Sequence, residues 1–199
     1  MKRKSRLQPK LDRRELLALG GAAAAVFMAP AGAANARRTG TMLALADLRY
    51  SDGLLFARGL DRLGVRTLPV SNLARVWFDF IEPRLQGGFR LTGLTLESDL
   101  FVLERLAGPT GARTRFLGLH DWRCRPGAAH SLCGSIGLAP IEAALVGGED
   151  RWAEKLGAAL VASTEQDEER RRRNLIGDRA RPAADSPKFF VSWLMDWRS

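Results

Sequence analysis

From residue 41 onward the chain alternates short apolar runs with longer stretches of helical periodicity. Thr41–Ala46 is a continuous apolar run of strand length, and in Leu54–Leu63 the residues Leu55, Phe56, Gly59, Leu60 and Leu63 recur at helical spacing. Gly64 stops that helix where a left-handed residue is favoured, and Val65–Val70 reads as a second strand. Ser71 or Asn72 caps a second helix that runs to Ile81 and ends at Pro83. Phe89–Thr95 predicts a third strand, Glu97 or Ser98 opens a helix over Leu100–Leu106, and Gly108-Pro109 stops it. Thr114–Leu119 predicts a fourth strand and Phe189–Met195 the last. Between these two lie a cysteine-containing loop, a short helix near Ile141–Leu145, a long helix from about Asp150 to Asn174 and a Pro/Ala-rich loop over 180–187.

Strands that alternate with helices of this length predict right-handed crossovers and a mostly parallel sheet. The expected fold is a three-layer α/β domain with about five strands, flavodoxin-like or Rossmann-like, without internal repeats. The first strand-to-helix turn, ADLRYSDG, lacks the G-x-G-x-x-G spacing that brings a backbone up to a pyrophosphate, which argues against the usual dinucleotide mode. No G-x-S-x-G elbow is present, so an ordinary α/β-hydrolase nucleophile is not expected either.

Residues 1–36 precede this pattern and differ from it: a basic start, an apolar middle over Leu16–Ala29, and Ala34-Asn35-Ala36 as a small-residue cleavage site. Ala31-Gly32-Ala33 is a second such site. The middle is well short of the ~20 residues a membrane span needs, so no permanent span is expected. Within the start, Asp12-Arg13-Arg14-Glu15-Leu16-Leu17 resembles the twin-arginine signal peptides of bacteria, with Leu16 in place of the usual phenylalanine and Ala18 where lysine often stands. The resemblance covers the leader alone. It implies recognition by the twin-arginine (Tat) translocase, export of an already folded chain to a Gram-negative periplasm, and cargo that often travels with a redox enzyme. An ordinary Sec signal or an uncleaved amphipathic helix is the alternative. The domains expected are thus a signal peptide over 1–36 and a single α/β domain over 37–199.

Export changes the charge argument. Seven of the 31 Lys/Arg and two of the 22 Asp/Glu fall in residues 1–36, so cleavage leaves a net charge of +4 where the whole chain has +9. A nucleic-acid partner is therefore not expected. One basic run remains, Arg170–Arg173, and on the expected helix Glu168 and Glu169 sit at i,i+4 from Arg172 and Arg173, which reads as a self-paired solvated face.

Both histidines and both cysteines lie in His120–Cys133, HDWRCRPGAAHSLC. In an exported chain a Cys124–Cys133 disulfide is the expected state. A metal held by His120, Cys124, His130 and Cys133 is the alternative, as are inert thiols; no other cofactor is expected. His120 with Asp121 is the one plausible acid/base element, because histidine titrates near neutrality. The strand ends add short polar residues that parallel strands would gather on one edge. These are Asp47, Ser51 and Asp52, then Ser71 and Asn72, then Glu97, Ser98 and Asp99. Most of them could equally cap the following helix. Asp47, Ser51, Ser71, Ser98 and His120 are the candidate ligand contacts, with Trp122 as a pocket wall; Trp77 and Trp193 read as core. The functional expectation is a non-catalytic periplasmic accessory or ligand-binding protein associated with a redox enzyme. The alternative is a small hydrolase or redox enzyme that uses His120 and Asp121.

Overall fold

In the computed structural model, which describes residues 42–85, 88–123, 128–163, 169–177 and 180–197, the first apolar run forms β1 (Met42–Ala46), buried along its whole length. The periodic stretch after it forms α1 (Ser51–Asp61), which buries Phe56, Gly59 and Leu60, and β2 (Arg66–Pro69) follows. The second helix is irregular. A 3₁₀ turn at Val70–Asn72 leads into α2 (Leu73–Val76), a π turn over Trp77–Ile81 and a 3₁₀ turn at Glu82–Arg84, with Pro83 inside the last. Then come β3 (Arg90–Thr95), α3 (Glu97–Ala107) and β4 (Arg113–Asp121).

After β4 the chain departs from the expected pattern. The second half of the segment expected to be a loop is a strand, β5 (Ala128–Gly134), antiparallel to β4, with His120 opposite His130. Two helices follow, α4 (Ala139–Val146) and α5 (Trp152–Ser163), and α5 ends well before the expected Asn174. The arginine run instead opens β6 (Arg171–Gly177), which pairs antiparallel with β5 from Ala128↔Gly177 to Gly134↔Arg171. The expected i,i+4 helical pairing of Glu169 with Arg173 is thereby lost, and Arg173 approaches Glu142 at 3.5 Å; Glu168 lies outside the described residues. A ladder with a neighbouring strand outweighs the small helical preference of arginine, because strand formation is decided by cross-strand partners.

β7 (Phe189–Asp196) completes a seven-stranded sheet of order β2-β1-β3-β7-β4-β5-β6. β1 is parallel to β2 and β3, and every other pairing is antiparallel. The fold class is α/β, but the mostly parallel sheet of about five strands is corrected to a mixed and mostly antiparallel sheet of seven. The cause is the last strand, which enters antiparallel between β3 and β4, together with the β4–β5–β6 meander. β4 nonetheless runs in the same direction as β1–β3, since each of β3 and β4 is antiparallel to β7.

Two apolar clusters lie on the two faces. One joins Ala44, Phe116, Leu132 and Phe190 of the sheet to Phe56 and Leu60 of α1, Ile141 and Leu145 of α4, and Trp152, Leu156 and Leu160 of α5. The other joins Leu45, Leu91, Val191 and Trp193 to Val76, Trp77 and Ile81 around α2 and to Leu100 and Leu103 of α3. α1 and α5 run antiparallel at close quarters: a Cβ on Gly59 would lie 2.2 Å from the Glu154 carbonyl oxygen, and one on Gly157 would lie 2.9 Å from that of Phe56. Only hydrogen at these positions lets the two backbones meet. Among the described residues no helix is long and apolar enough to cross a membrane.

Candidate functional site

β4 and β5 carry the two histidines at facing positions of a cross-strand pair, and side chains at such positions stand on the same face. The rings meet through their Nδ1 atoms at 2.9 Å, and His120 Nε2 lies 2.7 Å from Ser192 Oγ on β7. Both histidines and Ser192 are buried. One proton serves the Nδ1–Nδ1 contact, so the two neutral rings hold opposite roles there. If His120 donates, its Nε2 accepts from the Ser192 hydroxyl; if His130 donates, His120 Nε2 donates to Ser192 Oγ. In either state His130 Nε2 has no partner among the described residues.

An aromatic cage encloses this relay. Trp122 lies 6.2 Å from the His120 ring and 5.6 Å from that of His130, and Trp152 lies 5.3 Å from His120 and 4.9 Å from Trp122. Trp122 is fixed by its indole N–H, which donates to the Ala180 carbonyl at 2.8 Å, and by its backbone N–H, which donates to Lys188. Burial pushes the His120 pKa well below its ordinary value, with the neighbouring His130 adding to the effect, and burial pushes His130 down to about 4. Two uncharged imidazoles at neutral pH are what a buried, aromatic enclosure favours.

His120 and Asp121 do not face one another. Consecutive strand residues face opposite sides of a sheet, and Asp121 lies on the far side, where its carboxylate accepts three bonds from Arg123 at 2.7–2.9 Å. That pairing holds the Asp121 pKa below its ordinary range. Cys133 is likewise across the sheet from His130, three positions away on a strand whose alternate residues are buried. It is a free thiol, half-buried, with Arg170 Nε at 3.4 Å, so the expected disulfide is not seen; Cys124, its expected partner, lies outside the described residues. Register also carries Cys133 away from the turn, opposite Leu117 and four positions beyond Ala129, or roughly 13 Å along the strand. Among the described residues no group of three or more His, Cys, Asp or Glu side chains is placed to hold a metal ion.

The strand-end residues share one edge, where Asp47 and Arg49 lie close enough to Asp99 to act on its charge, but His120 stands apart from them. β1 and β4 are three strand spacings apart, roughly 14 Å, because β3 and β7 lie between them. Asp47 is buried against Arg49, which bonds it at 2.6–3.2 Å and lowers its pKa. Ser51 donates from its backbone N–H and its hydroxyl to Asp185 at 3.1 and 2.8 Å. Asp52, buried, accepts from the Ala183 N–H at 2.9 Å, and burial raises its pKa. The loop over 180–188 thus caps α1 from a distance, with Asp185 placed favourably for the helix dipole. Asn72 caps α2 by accepting from Arg75 N–H at 3.0 Å, and Asp99 accepts from Leu96 N–H at 3.3 Å. Ser71, Glu97 and Ser98 are exposed.

The opposite face of the β4–β5–β6 half bears a feature that the sequence alone did not suggest. Helices α2 and α3 cover this face beside β1–β3, and over β5 and β6 no described element covers it. Leu119, Asp121, Ala129, Ser131, Ile176 and Phe189 line a hollow of about 390 Å³ there. Arg123 spans its rim, with its guanidinium carbon 4.8 Å from the Phe189 ring centroid. Ile176, at the wall of the hollow, is 88% exposed. The signal for this face is the alternation along β5, where Ala128, His130 and Leu132 are buried and Ala129, Ser131 and Cys133 are half-buried. Ser192 and Trp152, by contrast, carry no local signal of their role beside His120. Comparison of the chain with protein-family models, with curated proteins and with solved structures finds no significant match in any of the three.

Proposed function

We propose that this chain is an exported periplasmic protein that works by binding, as an accessory component to a co-exported redox partner, and that the open half of its sheet is the docking face. The observation that carries the reading is the hollow beside β5 and β6, with Ile176 exposed at its wall and the Arg123–Asp121 pair at its rim. An apolar floor with a charged rim is the anatomy of a protein interface. The burial of His120, His130 and Ser192 supports binding over catalysis, since a reacting group must meet its substrate and these three meet one another. The twin-arginine resemblance at Arg13-Arg14 supports export in the folded state, and a fold whose strand order depends on its last strand suits a route that carries folded cargo.

The test is made on the full chain expressed in a Gram-negative host. Protein recovered from the periplasm should begin at Arg37 or Ala34, and replacing Arg13 and Arg14 by lysine should leave it in the cytoplasm. An intact Met1 in periplasmic protein removes the secretion argument. If the docking face is as proposed, Ile176→Arg abolishes co-purification with the redox partner while the circular dichroism spectrum is unchanged; a complex that survives this substitution overturns the assignment of the face.

A further inference from the structure

On the other side of the molecule, the crossing of α1 and α5 leaves a groove that none of the foregoing uses. We propose that this groove is a binding site for a small organic anion, a carboxylate or a phosphate monoester with a compact apolar body. The site lies away from the docking face and does not depend on export or on a redox partner.

The groove encloses about 300 Å³, at the lower end of the size found for small-ligand pockets. Its wall holds three cations, Arg62, Arg151 and Lys155, and one carboxylate, Glu154. Glu154 is buried and fully engaged: Oε1 accepts from Arg62 and from Arg151 Nη2, and Oε2 accepts from Arg151 Nε. Arg151 first, then Arg62 and Arg58, hold that carboxyl below its usual range. One negative charge thus fixes two guanidiniums in place without balancing the cations around it. A guanidinium has five N–H donors. Glu154 takes two from Arg151 and one from Arg62, and both side chains are about 60% exposed, so donors remain that face solvent. Lys155 adds an ammonium held near the groove by donation to the Gly147 carbonyl at 2.6 Å.

Preorganised guanidiniums match the oxygen pairs of carboxylate and phosphate. The rest of the wall, Gly59, Leu63 and Ala158, is apolar or lacks a side chain. That selects an anion with an apolar body over a bare inorganic ion. The Gly59 contact that brings α1 against the Glu154 backbone also sets the depth of the groove, tying the site to the packing of the helices.

Calorimetric titration of the full chain with inorganic phosphate, phenyl phosphate and phenylacetate tests this. The expected result is saturable binding of at least one organic probe, at least tenfold tighter than inorganic phosphate and weakened at least fivefold by raising salt from 20 to 300 mM, on the order expected for screened surface charges. The tighter of the two organic probes identifies the head group. Arg62→Ala should weaken binding at least tenfold, and Arg84→Ala, remote from the groove, should leave it unchanged. Phenylglyoxal labelling of the unaltered chain, read by peptide mass, gives a second measure that needs no variant: the bound probe should protect Arg62 and Arg151 and leave Arg84 reactive. Absence of saturable binding by either organic probe overturns the proposal, as does binding without protection of Arg62 and Arg151.

Discussion

The two halves of the sheet solve burial differently. In the β2-β1-β3 half the strands are parallel, β1 is a continuous apolar run, MLALA, and β3, RLTGLT, is buried from Leu91 to Thr95, because helices cover both faces. In the β4-β5-β6 half the strands are antiparallel, the described helices pack on one face of β5 and β6, and β5 alternates buried with half-buried positions through AAHSLCG. The other half places polar groups on both of its sides: a buried histidine pair with Ser192 on the helix side and a hollow with an ion-paired rim on the other. Position in the sheet, more than the identity of any one strand, decides which residues are available to a partner.

The largest effect that would break this contrast is in the covered region. Trp193, fully buried and packed over Gly93, should cost roughly 3–5 kcal/mol when replaced by alanine, read by urea unfolding. A loss below 1 kcal/mol would mean that the seam between the halves is looser than its packing implies.

The relay gives the next effect, through pH. Both imidazoles are held neutral by burial, so the unfolded chain, with histidine at its ordinary 6.5, takes up protons before the folded one does. Their stabilising contribution is therefore full above about pH 6.5 and declines as pH falls, reaching about 3 kcal/mol from His130 near its folded value of about 4. His120 adds a loss in the same direction. Unfolding free energies measured from pH 7.5 to 4.5 should fall more steeply for the unaltered chain than for a His120→Leu/His130→Leu double variant. Parallel curves would show that the rings are not held neutral.

A smaller effect separates the cage from the hollow. Trp122→Phe keeps an aromatic side chain, smaller than the indole, and removes the bond to the Ala180 carbonyl; it should cost about 1 kcal/mol or somewhat more in the same assay. The smallest belongs to the open face, where Ile176→Ser should change stability by no more than about 0.5 kcal/mol. A larger loss would place that side chain in the fold's own packing and weaken its reading as a docking contact.

The sequence by itself determined the elements whose signal is local. The runs at β1, β3 and β7 and the periodicity of α1 and α3 are legible because burial on both faces, or along one helical stripe, leaves a continuous or periodic apolar record. The Asn72 cap was legible for the same reason, its partner being three residues away. The pairing of His120 with His130 was visible only as clustering; what they do there depends on a hairpin register and on Ser192, 72 residues further along the chain. Tertiary structure alone decided that β7 enters between β3 and β4, that the arginines form a strand, and that His120 and Asp121 face opposite ways. A strand's own pattern records how much of it is buried, but not which strand lies beside it. Hydrogen-bonding edges are chemically alike, and the choice among them is made by the rest of the chain.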